Sequence, residues 1–174
     1  TILKCTVAAG VAAVALVAAA TVGATGQYVD KSGDAAGSPD VTNVSVASDA
    51  TGQILFTIGV SGIATAEGPY VLLCLDTDLN GATGAPNMAG GEYMFVVDHD
   101  SYGFMGWNGS AWSGTPHSSV RVSGDSATIT ISVNRSELGN TQGFSFWAAT
   151  GPSLESDAPG DMAPDAGLWN YSLQ

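Results

Sequence analysis

Basic residues are almost missing from this chain: Lys and Arg total 4 of 174 residues against 16 Asp and Glu, a formal net charge of −12. A phosphate backbone is held by a cationic surface, so nucleic acid is excluded as a partner and divalent cations suit the chain better. Cysteine is nearly absent as well. Cys5 falls in the first apolar segment and Cys74 in the run Val71-Leu72-Leu73-Cys74-Leu75, so loss of the first segment would leave no disulfide and make Cys74 a core thiol. With only His99 and His117, zinc and haem lack ligands. No Gly-x-Ser-x-Gly element or Cys/His pair supplies an activated nucleophile. Paired carboxylates leave a glycosidase formally open, but their Gly-rich, turn-like surroundings favour hydration or metal binding over a raised pKa, and no enzyme is expected. After residue 40 no segment sustains a helical period.

What the chain does have begins with an apolar stretch. From Cys5 to Val29 there is no charge, and Lys4 is the one basic residue ahead of it. A short basic start, an Ala/Val-rich run from Val7 to Ala20 and small residues at Val22-Gly23-Ala24 are the parts of a secretory signal, which makes residues 1–24 a signal peptide and the product secreted or displayed at the cell surface. The same Ala-rich segment, if retained as a hydrophobic helix, could pack against copies of itself through small residues and make a pilin-like filament, and it is the chain's sole candidate for membrane contact. Residues 25–39 read as a polar linker rich in turn formers.

From residue 40 to 174, short apolar runs with period two alternate with Gly, Asn, Asp and Ser. Ile54, Phe56, Ile58 and Val60 share one face, and Asp49-Ala50-Thr51-Gly52 turns residues 41–48 into 53–60 as a hairpin. Tyr70–Leu75 is apolar on both faces, as a covered central strand should be. Asn108-Gly109-Ser110 joins Tyr102–Trp107 to Ala111-Trp112-Ser113 in a second hairpin, and Ser136–Gly139 reads as one helical turn closed by Gly. About ten strands make this an all-β, antiparallel two-sheet sandwich, jelly-roll-like, with Trp147 and Trp169 assigned to its core.

The chemistry concentrates at Asp76-Thr77-Asp78-Leu79-Asn80-Gly81. Oxygen ligands at alternate positions followed by Gly make the first half of a calcium loop, because a turning backbone then aims successive side chains at one ion. The twelfth position is Asn87 instead of a bidentate Glu, which excludes an EF-hand. Glu92, at the start of the next strand, can return beside Asp76 if the two strands pair. Asp76, Asp78, Asn80 and Glu92 are therefore the first candidate calcium ligands, with Asp34, Asp40 and Asp165 as further ones, against the plain alternative that Asp and Asn make turns. Asp161-Met162-Ala163-Pro164-Asp165 stands immediately before the final strand, and a carboxylate held there could complete an ion site formed elsewhere. For a glycan, Trp107, Trp112 and Tyr102 offer aromatic faces and Asn108 a polar neighbour, although hairpin aromatics also pack on each other.

Taken together, Gly33-Asp34 with Pro39-Asp40, Leu75-Asp76-Thr77-Asp78 with Ala82-Thr83-Gly84, Gly91-Glu92-Tyr93, Trp107–Trp112 and Ala163-Pro164-Asp165-Ala166-Gly167 form a pattern. From about residue 30 onward it resembles the secreted bacterial β-sandwich domains of the DOMON and family 9 carbohydrate-binding-module group. The resemblance implies a jelly-roll-like sandwich, often with structural calcium, acting as a non-catalytic module that binds sugars, haem or a cell-surface partner.

Overall fold

The computed structural model describes residues 22–35, 39–62, 69–98, 101–153 and 160–173. Two antiparallel sheets face each other. The first carries, in spatial order, β1 (Val22–Val29), β2 (Asp40–Asp49), β3 (Gln53–Ser61), β9 (Thr128–Asn134) and β8 (Arg121–Gly124). The second carries β11 (Asp161–Ala163), β10 (Gly143–Gly151), β4 (Tyr70–Asp76), β5 (Tyr93–Asp98), β6 (Ser101–Trp107) and β7 (Trp112–Gly114). β12 (Trp169–Ser172) pairs with Gly143–Phe146 of β10 and β11 with Ala148–Thr150, so the two short strands share the edge of β10 that β4 leaves free.

The period-two pattern explains the layers. Val44, Val46, Ile54, Phe56 and Ile58 point from the first sheet into the interior, where Leu73, Leu75, Phe95, Phe144 and Phe146 of the second meet them. Phe56 bridges the sheets, with ring centroids 5.5 Å from Phe144 and 6.1 Å from Phe146. Both predicted hairpins form, as β2–β3 and β6–β7.

Several expectations change. The linker predicted over 25–39 begins instead with β1, which pairs along β2 from Thr25↔Ala47 to Val29↔Asn43. Ala24, Gly26 and Tyr28 alternate with exposed Thr25, Gln27 and Val29; Tyr28 alone among the inward residues is large, too weak a period-two signal in so Gly- and Ala-rich a run. Tyr28 stacks edge-on against Phe146 at 4.9 Å and donates from its hydroxyl to the Asn170 carbonyl at 2.6 Å, which seats β1 on the core. Of the signal peptide or retained helix expected over residues 1–24, residues 1–21 lie outside the described residues, as does His99, and residues 22–24 open β1 as strand instead of helix. Trp147 leaves the core: it is paired with Cys74 on the outer face of the second sheet and is half-buried there. Cys74 is buried on that same face beneath the loop after β4, its Sγ 3.7 Å from the Met88 carbonyl. Burial first, then the carboxylates of Glu92 and Asp76, push its thiol up to about 12, which makes it inert.

Between β9 and β10 the predicted helical turn is a 3₁₀ turn at Arg135–Glu137, capped by Asn134, whose side-chain oxygen accepts from the Ser136 amide. Glu137 ties it to the segment before β8. Its carboxylate accepts from the amides of Ser118 (2.6 Å) and Ser119 (3.0 Å) and from the Ser119 hydroxyl (2.6 Å). Burial alone would raise this carboxyl, but the Ser119 hydroxyl and the two amides outweigh it and hold the pKa at about 2. A depressed folded-state pKa contributes stability that is present above the unfolded value and is lost as pH falls through the folded one. Glu137→Gln should therefore cost about 1–2 kcal/mol at neutral pH, and in urea unfolding the gap between wild type and variant should shrink from pH 4.5 down to about 2. A gap that stays constant over that range would remove the assignment.

Candidate metal centre

β4 and β5 pair with Leu75 opposite Tyr93, so the residues just beyond, Asp76 and Glu92, emerge side by side at the same end of the second sheet. The Glu92 amide donates to the Leu75 carbonyl at 2.9 Å and fixes that adjacency. The intervening loop turns back on itself through Leu79 in the left-handed region, φ 59°. The Asn80 amide then reaches Asp76 Oδ1 (3.1 Å) and Asp78 Oδ1 (3.0 Å), and the Thr83 hydroxyl donates to Asp78 Oδ2 (2.8 Å). A bridge between Ala85 and Gly91 closes the loop. Gly84 (φ 64°) must be Gly, since a Cβ there would stand 2.1 Å from the Gly90 carbonyl oxygen and 2.6 Å from Glu92 Oε1.

Asp76, Asp78 and Glu92 each present one carboxylate oxygen, and these oxygens lie within 4.8 Å of one another. Calcium–oxygen distances of about 2.3–2.6 Å allow ligands on opposite sides of one ion to stand roughly 5 Å apart, so the three fit around a single calcium. Glu92 Oε2 is held by the Thr77 amide at 2.7 Å, whereas Oε1 is buried with no hydrogen-bond partner. Among the described residues none of the three carboxylates has an ion-pair partner. Turn-like surroundings had suggested unshifted acids, and the structure corrects this. Burial raises the Asp76 carboxyl, against the Asn80 amide that lowers it and with Asp78 adding to the rise; burial raises Glu92 too, opposed by the Thr77 amide and reinforced by Asp78 and Asp76. Asn80 contributes its amide to the loop's hydrogen bonds, and its side-chain oxygen accepts from the Ala82 amide at 3.3 Å.

The remaining acidic candidates separate. Asp34 joins Asp30 and Asp161, whose oxygens also lie within 4.8 Å of one another. Asp40 turns elsewhere: both its oxygens accept the Gly33 amide at 3.1 Å, and Oδ2 also accepts the Ser61 hydroxyl at 3.2 Å. Asp165 is exposed and is not one of the three acids whose oxygens lie within 4.8 Å of one another, Asp161 being the third, but its charge reaches Asp30. Asp30 was hidden in the presumed linker. No local signal marked it, because Asp161, which completes its group, comes from the far end of the chain.

Of the aromatic candidates, Trp107 and Asn108 line an open groove of about 360 Å³ together with Glu92, Tyr93, Thr115 and Pro116. Trp112 packs edge-to-face on Trp107 at 5.6 Å across β6 and β7. Tyr102 stands apart from the groove and meets His117, hydroxyl to Nε2 at 3.4 Å. Asn108 Oδ1 accepts from the Ser110 and Ala111 amides, both at 3.0 Å, so its carbonyl side is committed to the turn. Compared with protein-family models, with curated proteins and with solved structures, the chain matches none.

Proposed function

We propose that this chain is a secreted, non-catalytic β-sandwich stabilised by calcium at Asp76, Asp78 and Glu92, and that the adjoining groove binds a glycan or another cell-surface component. The observation that carries the reading is the double position of Glu92, which belongs to the carboxylate group and also to the wall of the groove beside Trp107. An ion there would pin the β4–β5 loop and with it one side of the groove. A pyranose presents CH faces that stack on an indole and hydroxyls that need polar partners, and the groove offers Trp107 with Asn108, Ser113 and Thr115. The short motifs that resemble those of DOMON and family 9 carbohydrate-binding domains point the same way, as does the chain's excess of acidic residues for a protein working among extracellular divalent cations.

A glycan array probed with calcium-loaded protein tests the reading. Trp107→Ala should weaken binding to any retained glycan at least tenfold, roughly the 1.4 kcal/mol that a lost stacking face is worth, while the change in melting midpoint stays small because the ring is only half-buried. Equal binding by wild type and variant, or binding that ignores both calcium and Trp107, would remove the groove from the account. Hydrolysis of the retained glycan would overturn the non-catalytic part.

A further inference from the structure

A second group of acids lies where the two sheets approach each other at β1 and β11. Asp30 leaves the end of β1 in the first sheet, Asp34 sits in the turn from β1 towards β2, and Asp161 opens β11 at the edge of the second sheet. Asp30 is 8 % exposed and Asp161 6 %, and Asp40 beside them is 6 % exposed. Carboxylates this deeply buried are costly unless a counter-charge or hydrogen bonds compensate them. Asp40 and Asp161 have such bonds, the latter from the Val41 amide at 2.7 Å and the Met162 amide at 2.8 Å. Asp30 Oδ2 and both oxygens of Asp34 have none among the described residues, although all three atoms are buried. Among the described residues the one cation paired with the group is the Lys31 ammonium, 3.6 Å from Asp34 Oδ2, on a side chain 74 % exposed. It faces one acid of the group; the Lys31 amide partly offsets the charge of Asp30, whose Oδ2 still has no partner. Burial, followed by the charges of Asp161, Asp165 and Asp34, lifts the Asp30 carboxyl to about 6.

We propose that Asp30, Asp34 and Asp161 hold a second divalent cation of calcium-like oxygen chemistry, which fastens β1 of the first sheet to β11 of the second. The ligand oxygens are mutually within 4.8 Å, as a calcium shell requires, and the donor set is all oxygen, which selects a hard cation over zinc or copper. The ion would neutralise the buried unpartnered oxygens and link the end of β1, at the edge of the first sheet, to β11, a strand of three residues at the edge of the second. This site shares no residue with the Asp76 group and does not depend on it.

Calcium titration calorimetry on the chelator-stripped full chain separates the two. Wild type should take up two equivalents. Asp30→Asn and Asp34→Asn should each abolish one equivalent or weaken it at least tenfold, Glu92→Gln should remove the other, and Glu92→Gln with Asp34→Asn should bind none. Unchanged stoichiometry and affinity in both Asp30→Asn and Asp34→Asn overturns the second site whatever Glu92→Gln does; loss of one equivalent in those two with none lost in Glu92→Gln supports it and overturns the first site. Melting in chelator guards against a purely structural effect. Asp30→Asn should melt no lower than wild type there, because it relieves like-charge crowding, and lower than wild type in calcium. An equal drop in both conditions would mean that Asp30 acts through protein contacts alone, and the proposal would be lost.

Discussion

Removing divalent cations with a chelator should lower the melting midpoint of this protein by roughly 5–11 °C for each ion lost, the effect of about 2.7 kcal/mol from an ion at a hundred times its dissociation constant in a domain of this size. Glu92→Gln should reproduce a distinct part of that loss with calcium present. The reason is local. Without an ion, Asp76 and Glu92 stand side by side at the ends of paired strands with Asp78 folded back onto them; Asp78 adds to the cost that burial sets on ionising Asp76, and Asp78 and Asp76 both add to that of Glu92. Gln at 92 keeps an acceptor for the Thr77 amide and so spares the loop's hydrogen bonding, but it withdraws one of three charges from the ion. The variant should melt close to wild type in chelator and below it in calcium. Calorimetric midpoints that coincide for wild type with calcium and with chelator would eliminate the site.

How much of this was legible follows from sequence distance. Asp76 and Glu92 could be paired on paper because one antiparallel register between β4 and β5 brings them together, and both strands announce themselves by apolar composition. The hairpin of β2 and β3 was equally plain, since Ile54, Phe56 and Ile58 all fall on one side. Asp30 and Asp161 were not legible as partners: their meeting requires β1 to lie at one sheet's edge and β11 at the other's, and neither strand has an apolar period strong enough to be read. Trp147 was misplaced for a different reason. Its strand is apolar on both faces, and only the register opposite Cys74 decides that Phe146 turns inward and Trp147 outward. The loop at residues 85–91 then covers the outer face near Cys74, where a Cβ on Gly91 would stand 2.3 Å from Sγ, so an outward position can be as buried as a core one.

Phe146→Ala should be the most damaging single substitution, about 3–5 kcal/mol for a phenylalanine truncated in a sealed core. Phe146 is fully buried where four strands meet: its ring lies 4.9 Å from Tyr28 of β1, 6.1 Å from Phe56 of β3, 5.8 Å from Phe144 of its own strand and 5.5 Å from Trp169 of β12. None of these neighbours can fill the gap alone, since each is committed to another: Phe144 to Tyr171 at 5.4 Å, Tyr28 to Trp169 at 5.4 Å. At about 2–4 °C per kcal/mol the midpoint should fall by roughly 6–20 °C, and, unlike Glu92→Gln, by the same amount with calcium as with chelator. Because Tyr28 rests on this ring, β1 should also lose protection against amide exchange before β4 does. A midpoint within 2 °C of wild type, a bound set by the smallest core losses, would mean that the two sheets do not close over Phe146. The positions of Asp30 and Asp161 relative to each other would then lose their support as well.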